Sequence, residues 1–557
     1  MTSALADRNF DYVIIGSGSA GSAIAYRLAE AGQARIAVIE FGGSDAGPFI
    51  QMPAALSYPM NMPQYDWGYH AEAEDGLNGR ALVCPRGKVI GGSSSINGMI
   101  YVRGNPLDYD HWRDQGAAGW GYADVLPYFR RMESSHGGEP PWRGTDGPLH
   151  ITRGSRNNPL HEAFVKAATQ AGYAATSDYN GYRQEGFGPA DMTVWKGRRW
   201  STANAFLKPA LRTGRVKLFI RTLAEKILFK GRKAIGVRVT RKGKQMDIMA
   251  RKAVVLSAGA IASPALLQRS GIGDAELLQQ NGIEVIADRK GVGANLQDHL
   301  EVYFQIACSQ PITLYKHLNP ISKALIGARW LMFKSGLGAS NHFETLGFIR
   351  SEKAISYPDI QYHFLPIAIR YDGKALAAGH SFQLHVGPMR SKSRGHVKIT
   401  AVEAERPPEI KFNYLSHPDD LPDFRKALRL SREILAQTAM EPFYDYEIQP
   451  GAEAQTDEQL DEFIRNEAES AYHPCGTCRL GSESDPLAVV GPDCKVIGTE
   501  TLFCADSSLF PRITNGNLNA PSIMTGEKAA DHILGRTRLP SVNNSPFVHP
   551  HWQTQQR

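Results

Sequence analysis

Cysteine is scarce: six residues, Cys84, Cys308, Cys475, Cys478, Cys494 and Cys504, are spread irregularly over 557 positions. So sparse a set excludes a disulfide scaffold and fits a reducing compartment. Only Cys475 and Cys478 have the C-x-x-C spacing. No second pair stands at a zinc-site spacing from them, so they read as loop packing rather than as a metal or redox centre. Also missing is any run of about 18 apolar residues, and Met1 to Phe10 lacks the apolar block of a secretory leader. A cytoplasmic protein is expected, with peripheral attachment to the inner membrane left open. Basic residues form no concentrated run: 62 Lys and Arg stand against 56 Asp and Glu, a net charge of +6. Nucleic acid is therefore not an expected partner. There is no internal repeat and no low-complexity linker. A chain that is 42% hydrophobic can bury cores for roughly two to four domains, and these are expected to interleave.

What is present begins with an apolar strand, Phe10-Asp-Tyr-Val-Ile-Ile15. It is followed by Gly16-Ser17-Gly18-Ser19-Ala20-Gly21, a helical stretch from Ser22 to Ala31, and a second strand from Arg35 to Glu40. In this pattern Gly16 permits a tight turn, Gly18 lets a pyrophosphate approach the backbone, and Gly21 lets helix and strand pack closely. Free N–H groups at the helix start suit phosphates. Glu40, at about the twenty-residue spacing, suits ribose hydroxyls and would repel a 2′-phosphate. The alternative is an ordinary glycine-rich turn, and the fingerprint alone does not separate FAD from NAD. Ala253 to Ala260 and Thr501 to Asp506 read as further sheet elements, with a terminal helix from Ala520 to Leu534. Residues 542–557 read as a mobile or loosely packed tail.

Longer patterns decide the matter. Pro85-Arg-Gly-Lys-Val-Ile-Gly-Gly-Ser-Ser-Ser-Ile-Asn97 and Gly259-Ala-Ile-Ala-Ser-Pro264, the latter with Ser270-Gly-Ile-Gly273, resemble the two signatures of the glucose-methanol-choline oxidoreductase family. The likeness continues through Gly293 to His299, His473 to Gly481 and Asn515 to Pro521. It implies an α/β fold: a Rossmann-like FAD-binding domain and a substrate-binding domain on an antiparallel sheet flanked by helices. The expected division is 1–155, 205–310 and 465–541 for FAD, with 156–204 and 311–464 for substrate. The resemblance implies cofactor contacts at Gly16, Ser17, Gly18, Ser19, Ala20, Gly21, Glu40, Gly92, Ser93, Asn97, Gly98, Met99, Ile100, Ala224, Ala505, Asp506 and Asn517. Some relatives attach the flavin through a histidine just before the first signature's asparagine; Ile96 stands there, so the FAD is expected to be non-covalent.

Oxidising an alcohol removes a hydroxyl proton and a carbon-bound hydride, so a base must stand beside the acceptor. Imidazole suits that step because its ordinary pKa is near working pH. The resemblance points to His473, with Asn519 hydrogen-bonded to the substrate oxygen. From spacing alone, His473 could equally cap a Pro- and Gly-rich loop, and Asn519 could be a turn residue. Gln51 to Leu56, Asn341-His-Phe-Glu344, Gln361 to Pro366 and Ala471 to Cys478 resemble the choline-oxidising branch, although Thr345-Leu346 departs from its small residues. A quaternary ammonium needs aromatic faces and a carboxylate; the expected set is Glu344 with Trp67, Tyr472 and Phe364. Glu344 could instead be a solvated strand residue or a buried paired acid, and the aromatics could be core. The expected reaction is choline to betaine aldehyde, with onward oxidation to glycine betaine left open, and with a quinone or another electron acceptor. Another primary alcohol, including a hydroxy acid held by Arg370, and a non-catalytic flavoprotein are the alternatives. Oligomeric state is not legible.

Overall fold

Val13, Ile14 and Ile15 are buried on both sides, and so are Ile36 to Ile39. Continuous apolar runs of this kind belong to strands covered by helices on two faces. The computed structural model describes residues 8–371, 373 and 379–557. The first seven residues, part of the amino-terminal stretch read for a leader, lie outside them. Among the described residues there are two seven-stranded sheets.

The first sheet is centred on Asn9–Ile15, which pairs in parallel with Ile36–Ile39 on one side and Lys244–Leu256 on the other. Val216–Phe219 extends it in parallel at one edge. Thr222–Lys230 and Lys233–Arg241 form an antiparallel meander with Lys244–Leu256, and Leu502–Cys504 pairs with the far end of Lys244–Leu256. Segments 500 residues apart meet here. Helix Asn519–Leu534 crosses Ser19–Glu30 so closely that a Cβ on Gly526 would stand 2.5 Å from Ala20 O. Buried Glu527 joins them by accepting from Arg27 Nε at 2.8 Å and from Arg131 Nε at 2.7 Å.

The second sheet runs Tyr444–Gln449, Leu300–Cys308, Ser381–Pro388, Ile360–Leu365, Thr345–Ile349 and Gly186–Pro189, all antiparallel. Its strands alternate with period two. Val302, Phe304, Ile306, Tyr362, Phe364, Phe382, Leu384 and Val386 join one apolar cluster. The intervening Glu301, Tyr303, Gln361, His363, Gln383 and His385 form a buried polar face on the other side. Leu300–Cys308, grouped by sequence with the 205–310 segment, is hydrogen-bonded into this second sheet.

The tail is not loosely packed. Phe547 N donates to Tyr182 O at 2.9 Å, Gln555 O accepts from buried Arg350 at 2.8 Å, and Arg557 pairs with Glu433 at 2.6 Å. Its Pro- and Gln-rich composition hid these backbone and amide bonds. All six cysteines are free and buried. No described helix is long and apolar enough to cross a membrane, and no group of three or more described His, Cys, Asp or Glu side chains could hold a metal.

Candidate active site

A cavity of about 420 Å³ runs between the two sheets. At one end is the glycine turn. Gly16 has φ +97°, and a Cβ there would stand 2.3 Å from Ser257 O; one on Gly21 would stand 2.1 Å from Gly16 O. Both positions need hydrogen for side chains. Helix Ser19–Glu30 starts without a side-chain cap, so its first N–H groups are available to an anion.

Gly16, Gly18, Ser19, Ala20 and Glu40 line the cavity, as do Gly92, Ser93, Asn97, Gly98, Met99, Ile100, Ala224, Asp506 and Asn517. Ser17, Gly21 and Ala505 stand behind it. Ser17 donates its N–H (3.1 Å) and hydroxyl (2.7 Å) to Glu40 Oε2, while Oε1 accepts from Gly42 N at 2.7 Å. Burial still pushes the Glu40 carboxyl upward. Ala505 O accepts from Ser257 Oγ at 2.9 Å. Asn97 Oδ1 accepts from Met99 N at 3.0 Å and from the buried Arg199 guanidinium at 2.9 Å. Trp67 lines the cavity with its ring against Phe41, the residue after Glu40, at 4.8 Å.

At the other end, His473 N donates to Asp298 Oδ1 at 2.6 Å, and Asp298 Oδ2 accepts from Ser470 Oγ at 2.5 Å and Tyr414 Oη at 2.7 Å. The backbone carrying the imidazole is thus pinned. His473 Nδ1 lies 3.1 Å from His299 Nδ1, whose own Nε2 is 3.1 Å from Met389 O. A carbonyl only accepts, so His299 carries its proton on Nε2 and presents a lone pair at Nδ1. His473 must then be the Nδ1–H tautomer with a lone pair on Nε2. That lone pair faces Asn517 Nδ2 at 3.2 Å. Burial, then the neighbouring His299 and His363, holds His473 well below its ordinary value. Burial lowers His299 and His363 to about 4.

Asn517, expected as a flavin contact, is thus the asparagine at His473. Its Oδ1 also meets Gln361 Nε2 at 3.3 Å and His363 Nε2 at 3.4 Å. Asn519, expected in that place, instead accepts from Ser19 Oγ at 2.7 Å. Asn519 opens the helix Asn519–Leu534, and the turn that begins there carries it toward Ser19.

Near His473 the acid on the cavity wall is Glu301; Glu344 does not line it. Glu344 is buried outside the cavity, accepting from Arg156 N at 2.6 Å and Ser340 Oγ at 2.6 Å. It ties the Gly154–Arg156 loop to the sheet. Glu301 Oε1 accepts from His385 Nδ1 at 2.6 Å and Tyr371 Oη at 2.8 Å. Burial pushes Glu301 up, but His385, His363 and Tyr371 together outweigh it and the net shift is downward, keeping the carboxylate ionised. Phe364 is likewise misplaced by the sequence reading: it stacks on Phe164 at 4.8 Å behind the sheet, because its neighbour His363 takes the cavity face. Tyr472 does line the cavity, with its ring 5.1 Å from Tyr371; Phe343 lines it too. The signal overlooked was the i, i+2 polar pair set in otherwise apolar strands: His299 with Glu301, Gln361 with His363, and Gln383 with His385.

The amino-terminal family model for GMC oxidoreductases matches residues 10–301, and the carboxy-terminal one matches residues 391–526. This chain is a GMC oxidoreductase. The GMC oxidoreductase is 60% identical over 547 residues to the oxygen-dependent choline dehydrogenase of Brucella suis biovar 1, covering 98% of this chain and all of that one. It is 57% identical over the same length to the oxygen-dependent choline dehydrogenase of Rhizobium rhizogenes. Among solved structures, pyridoxine 4-oxidase from Mesorbium loti superposes with a TM-score of 0.86 at 31% identity, covering 95% of this chain and 99% of that one. GMC oxidoreductases are FAD-dependent enzymes, and the residues here fit the cofactor. A Cβ on Gly18 would meet only Gly92 Cα at 3.9 Å, and one on Gly259 nothing within 4 Å, so both leave bare backbone. Glu40 presents its carboxylate on the same cavity wall.

Proposed function

We propose that this enzyme oxidises choline to betaine aldehyde, with FAD held non-covalently and His473 as the proton acceptor. One observation carries the reading: an ionised carboxylate, Glu301, and the lone pair of a neutral imidazole, His473, open on one cavity whose other end is a dinucleotide turn. FAD, when bound, supplies a two-electron hydride acceptor.

The chain does the rest. Glu301 faces the trimethylammonium, and Phe343, Tyr371 and Tyr472 give it aromatic walls. The alcohol oxygen takes an N–H from Asn517 Nδ2, and His473 Nε2 receives the hydroxyl proton as the α-hydride leaves. His299 and Asp298 hold the ring in that tautomer and position. Betaine aldehyde hydrate offers the same O–H and C–H pair, so a second pass yields glycine betaine. The electrons then leave to a quinone or to dioxygen, the latter in keeping with the oxygen-dependent relatives. Ile96 at the family's attachment position supports a flavin without a histidyl bond. Arg370 is committed to Glu469 at 2.9 Å and Glu467 at 3.5 Å, which argues against a hydroxy-acid substrate.

Anaerobic flavin bleaching tests the reading, with choline set beside its uncharged carbon isostere, 3,3-dimethylbutan-1-ol, and glycolate. Choline should bleach at far lower concentration than either. Equal bleaching by the isostere would remove Glu301 from its role.

A further inference from the structure

The helix Pro320–Phe333 has its polarity reversed. Its only buried side chain is Trp330, whose Nε1 donates to Gly197 O at 2.6 Å. On the opposite side Ile321, Leu325 and Met332 are 75%, 66% and 68% exposed. With Ala328 they fall at i, i+4, i+7 and i+11, a single stripe along a helix. Ala324 and Leu331 widen it, and Phe333, 69% exposed, ends it.

The helix is firmly held. Asn319 caps it, its Oδ1 accepting from Ser322 N at 2.9 Å. Trp330 packs on Gly338, where a Cβ would stand 2.8 Å from Trp330 Cβ and 3.4 Å from Met52 Sδ. A fixed apolar face of this size on a water-soluble surface calls for a partner.

Charge identifies the partner's chemistry. From Val302 to Phe343 the sequence has no Asp or Glu, while Lys316, Lys323, Arg329 and Lys334 flank or interrupt the helix. We propose that this face docks on an anionic membrane surface, with the helix lying in the plane of the lipid headgroups. Its fourteen residues extend about 21 Å, too short for a hydrocarbon core of about 30 Å, so it rests at the interface without crossing. Cations beside an apolar stripe suit acidic headgroups above acyl chains. A two-fold contact with a second copy would instead bring the same four cations against each other.

The test is sedimentation of the FAD-loaded enzyme with vesicles of phosphatidylcholine alone and with one quarter phosphatidylglycerol. Binding should favour the anionic vesicles by about tenfold or more and weaken with salt. Leu325→Glu with Met332→Glu should cut that binding about tenfold while flavin content and choline-dependent dye reduction are kept. Failure of the wild-type enzyme to sediment with anionic vesicles at low salt, or equal sedimentation of the double variant, would overturn the proposal. So would a lipid-free dimer, seen by light scattering, that the double variant splits into monomers.

Discussion

His299 Nδ1 and His473 Nδ1 lie 3.1 Å apart, and one proton serves the pair. Because His299 spends its own N–H on Met389 O, the shared proton belongs to His473, and its Nε2 lone pair is directed at the cavity. His299 is a positioning residue. His299→Leu should lower kcat by about one to two orders of magnitude while the flavin spectrum and choline KM stay near wild type, since the wrong tautomer becomes available. His299→Gln, whose carbonyl can accept the His473 N–H, should recover part of the loss. Steady-state kinetics of the two variants measures this; equal loss in both would leave His299 a merely structural role.

The two asparagines two residues apart make different contacts, Asn517 with His473 and Asn519 with Ser19. His473→Ala should lower turnover by roughly two to four orders of magnitude with FAD retained. Asn517→Ala, which removes the donor 3.2 Å from His473 Nε2, should cost about one to three orders in kcat. Asn519→Ala should leave kcat within about threefold and weaken FAD retention instead, because its contact is to Ser19 at the helix start. Turnover per bound flavin and flavin release on dilution distinguish these outcomes.

Much of the nucleotide half was legible because its determinants are local: Gly16, Gly18, Gly21 and Glu40 lie within one β-α-β unit, where spacing equals geometry. His473, which lines the cavity, was singled out through motif likeness. The substrate half was not legible in the same way. Glu301, His363 and His385 come together only through the register of three strands, with His363 opposite His385. Glu344 attracted attention as an acid beside aromatics, yet a single step of strand alternation decides whether a residue faces the cavity or the core. The same step sent Phe364 into the core and His363 into the site. Asn517 and Asn519 are interchangeable in composition and differ only in which side of a helix start each occupies.

Glu301→Gln keeps size and shape and removes the charge. If the carboxylate faces the trimethylammonium, choline KM should rise about ten- to a hundredfold, the equivalent of a charged interaction, while the uncharged isostere is little affected. Glu344→Gln should leave choline KM unchanged and lower thermal stability by about 1–3 kcal/mol, because buried Glu344 accepts from Arg156 N and Ser340 Oγ. Paired KM and melting measurements on the two variants exchange roles if the assignment is reversed.

Acid should destabilise this fold earlier than carboxylates alone would require. Burial lowers His299 and His363 from 6.5 to about 4, and holds His473 well below its ordinary value. Below pH about 6.5 the unfolded chain takes up protons on these histidines while the folded chain does not. Their contribution is therefore complete above about 6.5 and is lost progressively as pH falls toward about 4. Glu301, also lowered in the fold, acts in the same direction, its contribution disappearing as pH falls below the ordinary carboxylate range. Melting temperature should be highest above pH about 6.5 and fall steadily between there and about 4. His363→Asn, which removes one of the depressed imidazoles, should give a shallower slope over that window whatever it does to the absolute value. A melting temperature that stays level from pH 7 to 5 would mean that the cavity histidines are not held neutral, and the base assigned to His473 would then lack its ready lone pair.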